Sequence, residues 1–382
     1  MNDNTKIPSS CPDKNENEEF PFDVKEEIDD FEGPFDPTKI DVDISVVNMG
    51  SLLDQLEYEE INLTPDFQRS IDLWSEQSKS RLIESVLMGL PIPSFYLSED
   101  EESPNLIIVD GLQRLCSLKD FWVTRTLRLK GLQFLTSLNG KTADDLDRSQ
   151  IRRLKGLKVT LNTLRKGTPP EVKLAIFQRV NTEGIRLNPQ EIRNALYSRR
   201  ANNLIRKMAS LESFKRATGN KVTSRRMADA DFANRFVAFY LHSDIYDGHL
   251  DKFMVDSLST LSRMSDAELD DVLVSFDRSM EVCYSLMGEH SFKRPDPASP
   301  NQYLNKLNKA LFDVISVSIA HLSSNQQKLL IERGAEFRSK LHGQFNDSQF
   351  LRSVSEGTAK KPQVEDRYRI FNEMLSEILN HD

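Results

Sequence analysis

The chain has 382 residues, with 50 Lys and Arg against 59 Asp and Glu, a formal net charge of −9. The length allows two or three domains with packed cores, and no apolar run approaches the ~20 residues of a membrane span. As a single number the acidic balance argues against a nucleic-acid partner. Along the chain it does not: residues 1–40 hold 12 acids and 4 bases, while residues 148–230 hold 20 bases and 5 acids. Asymmetry of this kind points to a polyanion partner. The N-terminus has no charged-then-apolar signal pattern. Cys11, Cys116 and Cys283 lie too far apart for a disulfide framework, and no Cys or His spacing suits zinc. The expectation is a soluble, cytoplasmic protein with no membrane partner.

Residues 1–39 are expected to form a disordered acidic arm, rich in Asp, Glu, Asn and Pro. Structure is expected from Ile40. Ile44, Val46 and Val47 predict a short strand, and Leu52, Leu53 and Leu56 a helix. Leu82, Ile83, Val86, Leu87 and Leu90 fall at helical spacing, ended by Gly89 and Pro91. Strands are predicted at 92–97 and 106–109, the second running into a helix with Leu115, Leu118 and Trp122 on one face. More β-like sequence follows at 127–135 and 157–164, with a polar link between them.

The middle of the chain changes character. Thr168-Pro169-Pro170-Glu171 and Asn188-Pro189-Gln190-Glu191 are helix starts, with a cap, a proline in the first turn and a glutamate at the third position. From there helices alone are predicted, near 189–208, 229–242, 265–288, 303–321, 324–338 and 364–380. Loops are placed near 290–301 and 342–362. The fold class is therefore α+β, a mixed front half followed by an all-α C-terminal domain. The expected domains are 40–200 and 201–382.

Three stretches carry candidate chemistry. In Leu106-Ile107-Ile108-Val109-Asp110-Gly111-Leu112-Gln113-Arg114 an apolar strand ends on a carboxylate, a glycine makes the turn, and a helix opens with Gln and Arg. A helix N-terminus offers unpaired N–H groups to phosphate. Arg114 could fork two phosphate oxygens, and Asp110 could hold Mg²⁺ or orient a water. A purely local reading is equally available: Asp110 caps the helix and Arg114 lies on the surface. Pro65-Asp66-Phe67-Gln68-Arg69 repeats the Gln-Arg pair after another short strand, which suggests one shared anion site. The third stretch runs from Asn181 through Gly184 and Arg186 to Glu191, Arg193 and Asn194. Gly184 suits a helix C-cap, whereas Asn181, Arg186 and Arg193 are left to face a ligand.

These three blocks, in this order, resemble the N-terminal domain of GmrSD-type restriction endonucleases, a ParB-like family. That family carries a Pro-x-Phe-Gln-Arg motif, an Ile-Asp-Gly-Gln-Gln-Arg centre and an Asn-x-x-Gly-x-x-Leu…Glu-Ile-Arg block. The matching positions are Pro65–Arg69, Val109–Arg114, with Leu112 in place of the usual first Gln, and Asn181–Asn194. The resemblance covers about residues 40–200 and implies a ParB/sulfiredoxin-like fold that binds, and often hydrolyses, a nucleoside triphosphate with Mg²⁺ in bacterial defence against phage. By the resemblance Arg69, Asp110, Gln113 and Arg114 are nucleotide-site residues. Together with the readings of the residues above, the candidate site takes Asp110 and Gln113 as catalytic residues, Asp110 also as the metal ligand, and Gln68, Arg69, Gly111, Arg114, Asn181 and Arg193 as nucleotide-binding residues. The family's His-Asn-His nuclease half has no counterpart among the six histidines.

The basic segment 148–230 is expected to contact DNA phosphates, or else to neutralise the acidic remainder within the fold. The leading expectation is a nucleotide-dependent enzyme acting on, or controlling action on, DNA. Alternatives are a nucleotide-gated DNA-binding module without turnover and a scaffold that recruits a separately encoded nuclease. Homo-oligomerisation is left open.

Overall fold

The structure, a computed structural model, describes residues 41–63, 74–100, 103–169, 172–173, 176, 190, 193–194, 199–224, 227–296 and 298–380. The expected acidic arm, and most of the stretch that follows the helix start expected at Thr168, fall outside these residues. So do Gln68, Arg69 and Asn181. The described residues fall into two compact units, one within 28–214 and 223–278, the other within 215–222 and 279–382. The expected boundary at 200 lies inside a helix of the first unit, Arg199–Ser210.

The first unit is built on a five-stranded mixed sheet. Its strands are β1 (Val42–Asn48), β2 (Ile61–Asn62), β3 (Phe95–Glu99), β4 (Leu106–Asp110) and β5 (Lys158–Leu164), ordered β1-β5-β3-β4-β2. β5 lies antiparallel to β1 and parallel to β3, and β4 lies antiparallel to β3 and parallel to β2. Helices α1 (Met49–Glu57), α2 (Glu76–Met88), α3 (Leu112–Leu118) and α4 (Arg148–Gly156) accompany it. Leu52, Leu53, Leu56, Ile83, Val86, Leu87, Leu115 and Leu118 share one core with Phe95, Leu97, Ile108 and Leu161. Each such side chain contributes about 1.5–3 kcal/mol on burial. The ends of α2 follow its sequence: Ser75 accepts the Ser78 N–H at 3.1 Å, and Gly89 terminates the helix at φ +76°.

Several expectations are corrected. Residues 127–135 form no strand. Leu127, Leu129 and Leu132 are buried, but the buried Glu84 carboxylate accepts the N–H groups of Gln133, Phe134 and Leu135 at 3.1, 2.7 and 2.8 Å. A side chain thus takes the place of a neighbouring strand. The supposed polar link contains α4, opened by a capping box between Asp147 and Gln150.

The helical part also differs in detail. Helix Leu250–Arg263 has no counterpart among the expected helices, because serines and threonines dilute its pattern; Thr260 and Ser262 bond back to the carbonyls of Asp256 and Leu258, at 3.1 and 2.9 Å. Helix Ser348–Ser355 lies in an expected loop, and the span 324–338 breaks into Ser324–Glu332 and Gly334–Gln344. The part expected to be helical throughout holds an antiparallel strand pair, β6 (Pro295–Asp296) with β7 (Ser299–Tyr303), whose turn is fixed by the Ala298 N–H donating to Asp296 at 2.9 Å. In this second unit Arg367 and Asp313 form a fully buried ion pair at 3.4 Å. Among the described residues no helix is long and apolar enough to cross a membrane, and Cys116 and Cys283 are free and buried.

Candidate functional site

The turn from β4 into α3 gathers most of the described candidates. Asp110 is the last residue of β4, and Gly111 reverses the backbone at φ +98°. A Cβ on Gly111 would sit 2.5 Å from Phe95 Cδ1 and 3.1 Å from Arg114 Nη2, so the position requires glycine on two counts. Arg114, in the first turn of α3, folds back over the turn. Its Nη2 donates to Asp110 Oδ2 at 2.8 Å; its Nη1 donates to the Pro93 carbonyl and, at 3.2 Å, to the Ser94 carbonyl. The guanidinium carbon stands 4.8 Å from the Phe95 ring centroid.

Arg114 is therefore a clasp as well as a charge. It joins the end of β4 to the residues leading into β3, with 12% of its side chain exposed against 29% for Asp110. Burial pulls the guanidinium's proton affinity down, and Asp110 beside it partly restores it. Three of its five N–H donors are committed to Asp110, Pro93 and Ser94. The carbonyls of Pro93 and Ser94 escaped the sequence reading.

Gln113 points elsewhere. Its Oε1 accepts the Trp74 N–H at 3.2 Å. Trp74 is the first described residue after the stretch holding Gln68 and Arg69, so the second candidate block is tied to the chain emerging from the first.

Arg193 is held in a different setting. Its Nη1 donates to Asp251 at 2.6 Å, Nη2 to Asp231 at 2.8 Å and Nε to Gln190 at 2.9 Å. It is 2% exposed and sits among helices of the first unit.

The basic segment divides in two. Arg165 pairs with Asp43 at 3.0 Å, Arg200 with Asp266 at 2.6 Å, and Arg216 with Glu281. These pairs fit the expectation that the segment offsets acids within the fold. Arg148, Arg152, Arg153, Lys155 and Lys158, on α4 and the start of β5, are exposed and form no ion pair among the described residues. Lys155 lies 5.0 Å from the Trp122 ring, and Arg125 lies 4.7 Å from it.

Among the described residues no three His, Cys, Asp or Glu side chains converge as a metal site. A magnesium ion held mainly by phosphates needs only one or two protein carboxylates, and Asp110 fits that limited role.

Residues 49–198 match the family model of the GmrSD restriction endonuclease, N-terminal domain. The match contains β4, the Gly111 turn and Arg114, and it covers less than half of the chain. No curated protein and no solved structure matches.

Proposed function

From a GmrSD-type N-terminal domain at residues 49–198, we propose that this protein binds and hydrolyses a nucleoside triphosphate and uses it to control action on DNA in restriction-type defence against phage. The site lies where the β4–α3 turn meets the chain leaving residues 64–73, on a ParB-like domain. The observation that carries the reading is the Asp110–Arg114 clasp over Gly111 within the matched segment.

In this reading Mg²⁺, when bound, neutralises phosphate charge and fixes the phosphates relative to the attacking water. Asp110 holds the metal or that water, and Arg114 fixes the carboxylate's orientation. The guanidinium's Nε–H and remaining Nη2 hydrogen are directed to phosphate oxygens. Gln113, placed by Trp74, positions the terminal phosphate or the water, and Gln68 and Arg69 add a second phosphate clamp. Asn181 completes the nucleotide site. Arg193 supports it from the helical layer, because its donors are taken by Asp231, Asp251 and Gln190. DNA lies along the exposed basic face of α4.

Phosphate release measured across the nucleoside triphosphates, with and without DNA, tests the reading. Wild type should release phosphate and Asp110→Asn should not, while both remain folded. Arg114→Lys keeps the charge but loses the fork, and should weaken nucleotide binding about 10- to 100-fold. Equal affinity in wild type and Arg114→Lys would overturn the assignment. Tight binding without release, with DNA and Mg²⁺ present, would identify a nucleotide-gated module that recruits a separate nuclease.

A further inference from the structure

Three unusual features of the first unit meet at one indole ring. Trp122 lies in a π-helical turn, Lys119–Val123, that continues α3, and such turns recur at functional sites. The Arg125 guanidinium carbon stands 4.7 Å from the ring centroid and the Lys155 ammonium 5.0 Å from it. Arg125 also holds a left-handed backbone, φ +58°, which is unfavourable for a residue with a Cβ and rare outside Gly, Asn and Asp. Backbone hydrogen bonds impose that conformation. The N–H groups of Thr126 and Leu127 both donate to the Asp120 carbonyl, at 2.9 and 3.1 Å, and the Thr124 N–H donates to the Lys119 carbonyl at 2.9 Å. The Asp120 carboxylate in turn takes the ammonium of the buried Lys79, on α2, at 2.6 Å.

Lys155 reaches the ring from α4, with the start of α1 against its stem: a Cβ on Gly50 would be in van der Waals contact with Lys155 Cβ and Cδ, at 3.5 and 3.7 Å. Two cations thus share one ring and stand no more than about 10 Å apart. That is close to the Debye length in physiological salt, so their repulsion is only partly screened. Little answers it. Lys155 has no ion pair among the described residues, and Arg125 has one, with Asp144 at 3.0 Å, whose side chain is 71% exposed; pairs of that kind are worth little. Trp122 itself belongs to the core and is 9% exposed. Its ring is therefore a rest for the cations and not a platform for a nucleic-acid base, which would need an open face. The fold holds two like charges together, one of them on an unfavourable backbone, and packing alone does not require that.

We propose that Arg125 and Lys155 grip one backbone phosphate of DNA, and that Trp122 is the positioning residue that holds them at that spacing. The inference rests on α4 being the DNA face. The pair closes a row: Arg148, Arg152 and Lys155 are spaced four and three residues apart, which aligns them on one exposed face of α4, while Leu154 of the same helix is buried. A lone small anion would be served by the pair, whereas a row of cations suits a polymer of phosphates. A doubled donor at the end of the row fixes the position of the strand without reading its bases.

Binding of a short DNA duplex to the full chain, followed by tryptophan emission and across a salt series, tests the grip. Wild type should bind with a change in emission, and Trp122→Phe should abolish that change while the emission of Trp74 remains. Lys155→Gln and Arg125→Asn should each weaken binding about ten-fold at low salt. Asparagine tolerates a left-handed backbone, so Arg125→Asn should melt close to wild type. An Arg125 that served the fold alone would show the reverse, lower melting with DNA binding unchanged, and that result would overturn the proposal. The double variant should lose about 0.9 unit from the slope of log affinity against log salt, the share of one phosphate. A loss of about 1.8 units would put the two cations on separate phosphates and overturn the shared grip. So would an emission that DNA leaves unchanged. Slope lost in Arg152→Gln and Arg153→Gln but kept in Lys155→Gln and Arg125→Asn would overturn this inference and leave α4 as the DNA face. A wild type that binds no duplex would overturn both.

Discussion

Arg114 and Arg193 are two arginines from the same resemblance in two physical settings. Arg193 faces two carboxylates, is 2% exposed and uses every face of its guanidinium within the helical layer. Arg114 faces one carboxylate and two backbone carbonyls, is 12% exposed, and has donors left over. A buried charge answered twice holds the fold together and has nothing to give a ligand. A charge answered once, at the rim of a sheet, can hold its neighbours and still meet a phosphate. Motif membership alone does not separate these cases; counting the partners does.

The sharpest way to break the comparison is to remove Arg193. Arg193→Met would take from the largely buried Asp231 and Asp251 the guanidinium they share. Loss of one partner from a buried pair costs about 3–5 kcal/mol, and chemical denaturation should show a fall of that size. Retained full stability would mean that Arg193 is not structural and would return it to the candidate ligands.

Gly111→Ala comes next. The alanine must hold φ near +98° with its Cβ against Phe95. Strain of this kind costs about 1–3 kcal/mol. The same change should loosen the Arg114–Asp110 pair, so nucleotide binding should fall with stability. Binding lost at unchanged stability would instead mean that Gly111 itself approaches the ligand.

The sequence carried the sheet better than the helical layers. β1, β4, β5 and α2 follow from apolar runs and spacing, and Gly89 marks the end of α2 because a left-handed residue is needed there. The Asp110-Gly111 turn was legible for the same reason. What was not legible depends on distant partners. Glu84 looks like a solvent-facing helix residue, yet it caps the three N–H groups of 133–135 and cancels an expected strand. Likewise, Arg193 reads like a ligand residue until Asp231 and Asp251 are brought to it from 38 and 58 positions away. Helix Leu250–Arg263 hid behind hydroxyl residues that satisfy themselves on its own backbone.

Glu84 offers a third and smaller test, of a buried charge answered mainly by backbone dipoles. Burial pushes its carboxyl up, but the N–H groups of Leu135, Phe134 and Gln133, helped by Arg81, outweigh this and hold it below the usual range. A depressed folded value stabilises the fold above the unfolded value, and that stability is lost as pH falls through the folded value. Glu84→Gln should therefore cost on the order of 1 kcal/mol at neutral pH. The gap from wild type should close as pH falls below the ordinary carboxylate range. A gap independent of pH would mean that shape, not charge, holds the 133–135 segment.

The smallest effect on folding is expected at Arg152 and Arg153, which extend the comparison to arginines that no acid answers. Both are exposed on α4, without ion pairs among the described residues. Their replacement by Gln should move stability by no more than about 0.5 kcal/mol. Their effect should fall on DNA instead. Every phosphate that an arginine no longer neutralises lowers the slope of log affinity against log salt by about 0.9. Binding to a duplex, followed across a salt series, should lose about one unit of slope for each arginine that meets the backbone. The weakening should be alike for unrelated DNA sequences, because phosphate contacts position the protein without reading bases. An unchanged slope in the double variant would remove α4 as the DNA face. It would leave the basic segment with the work seen at Arg165, Arg200 and Arg216, which is to offset the protein's own acids.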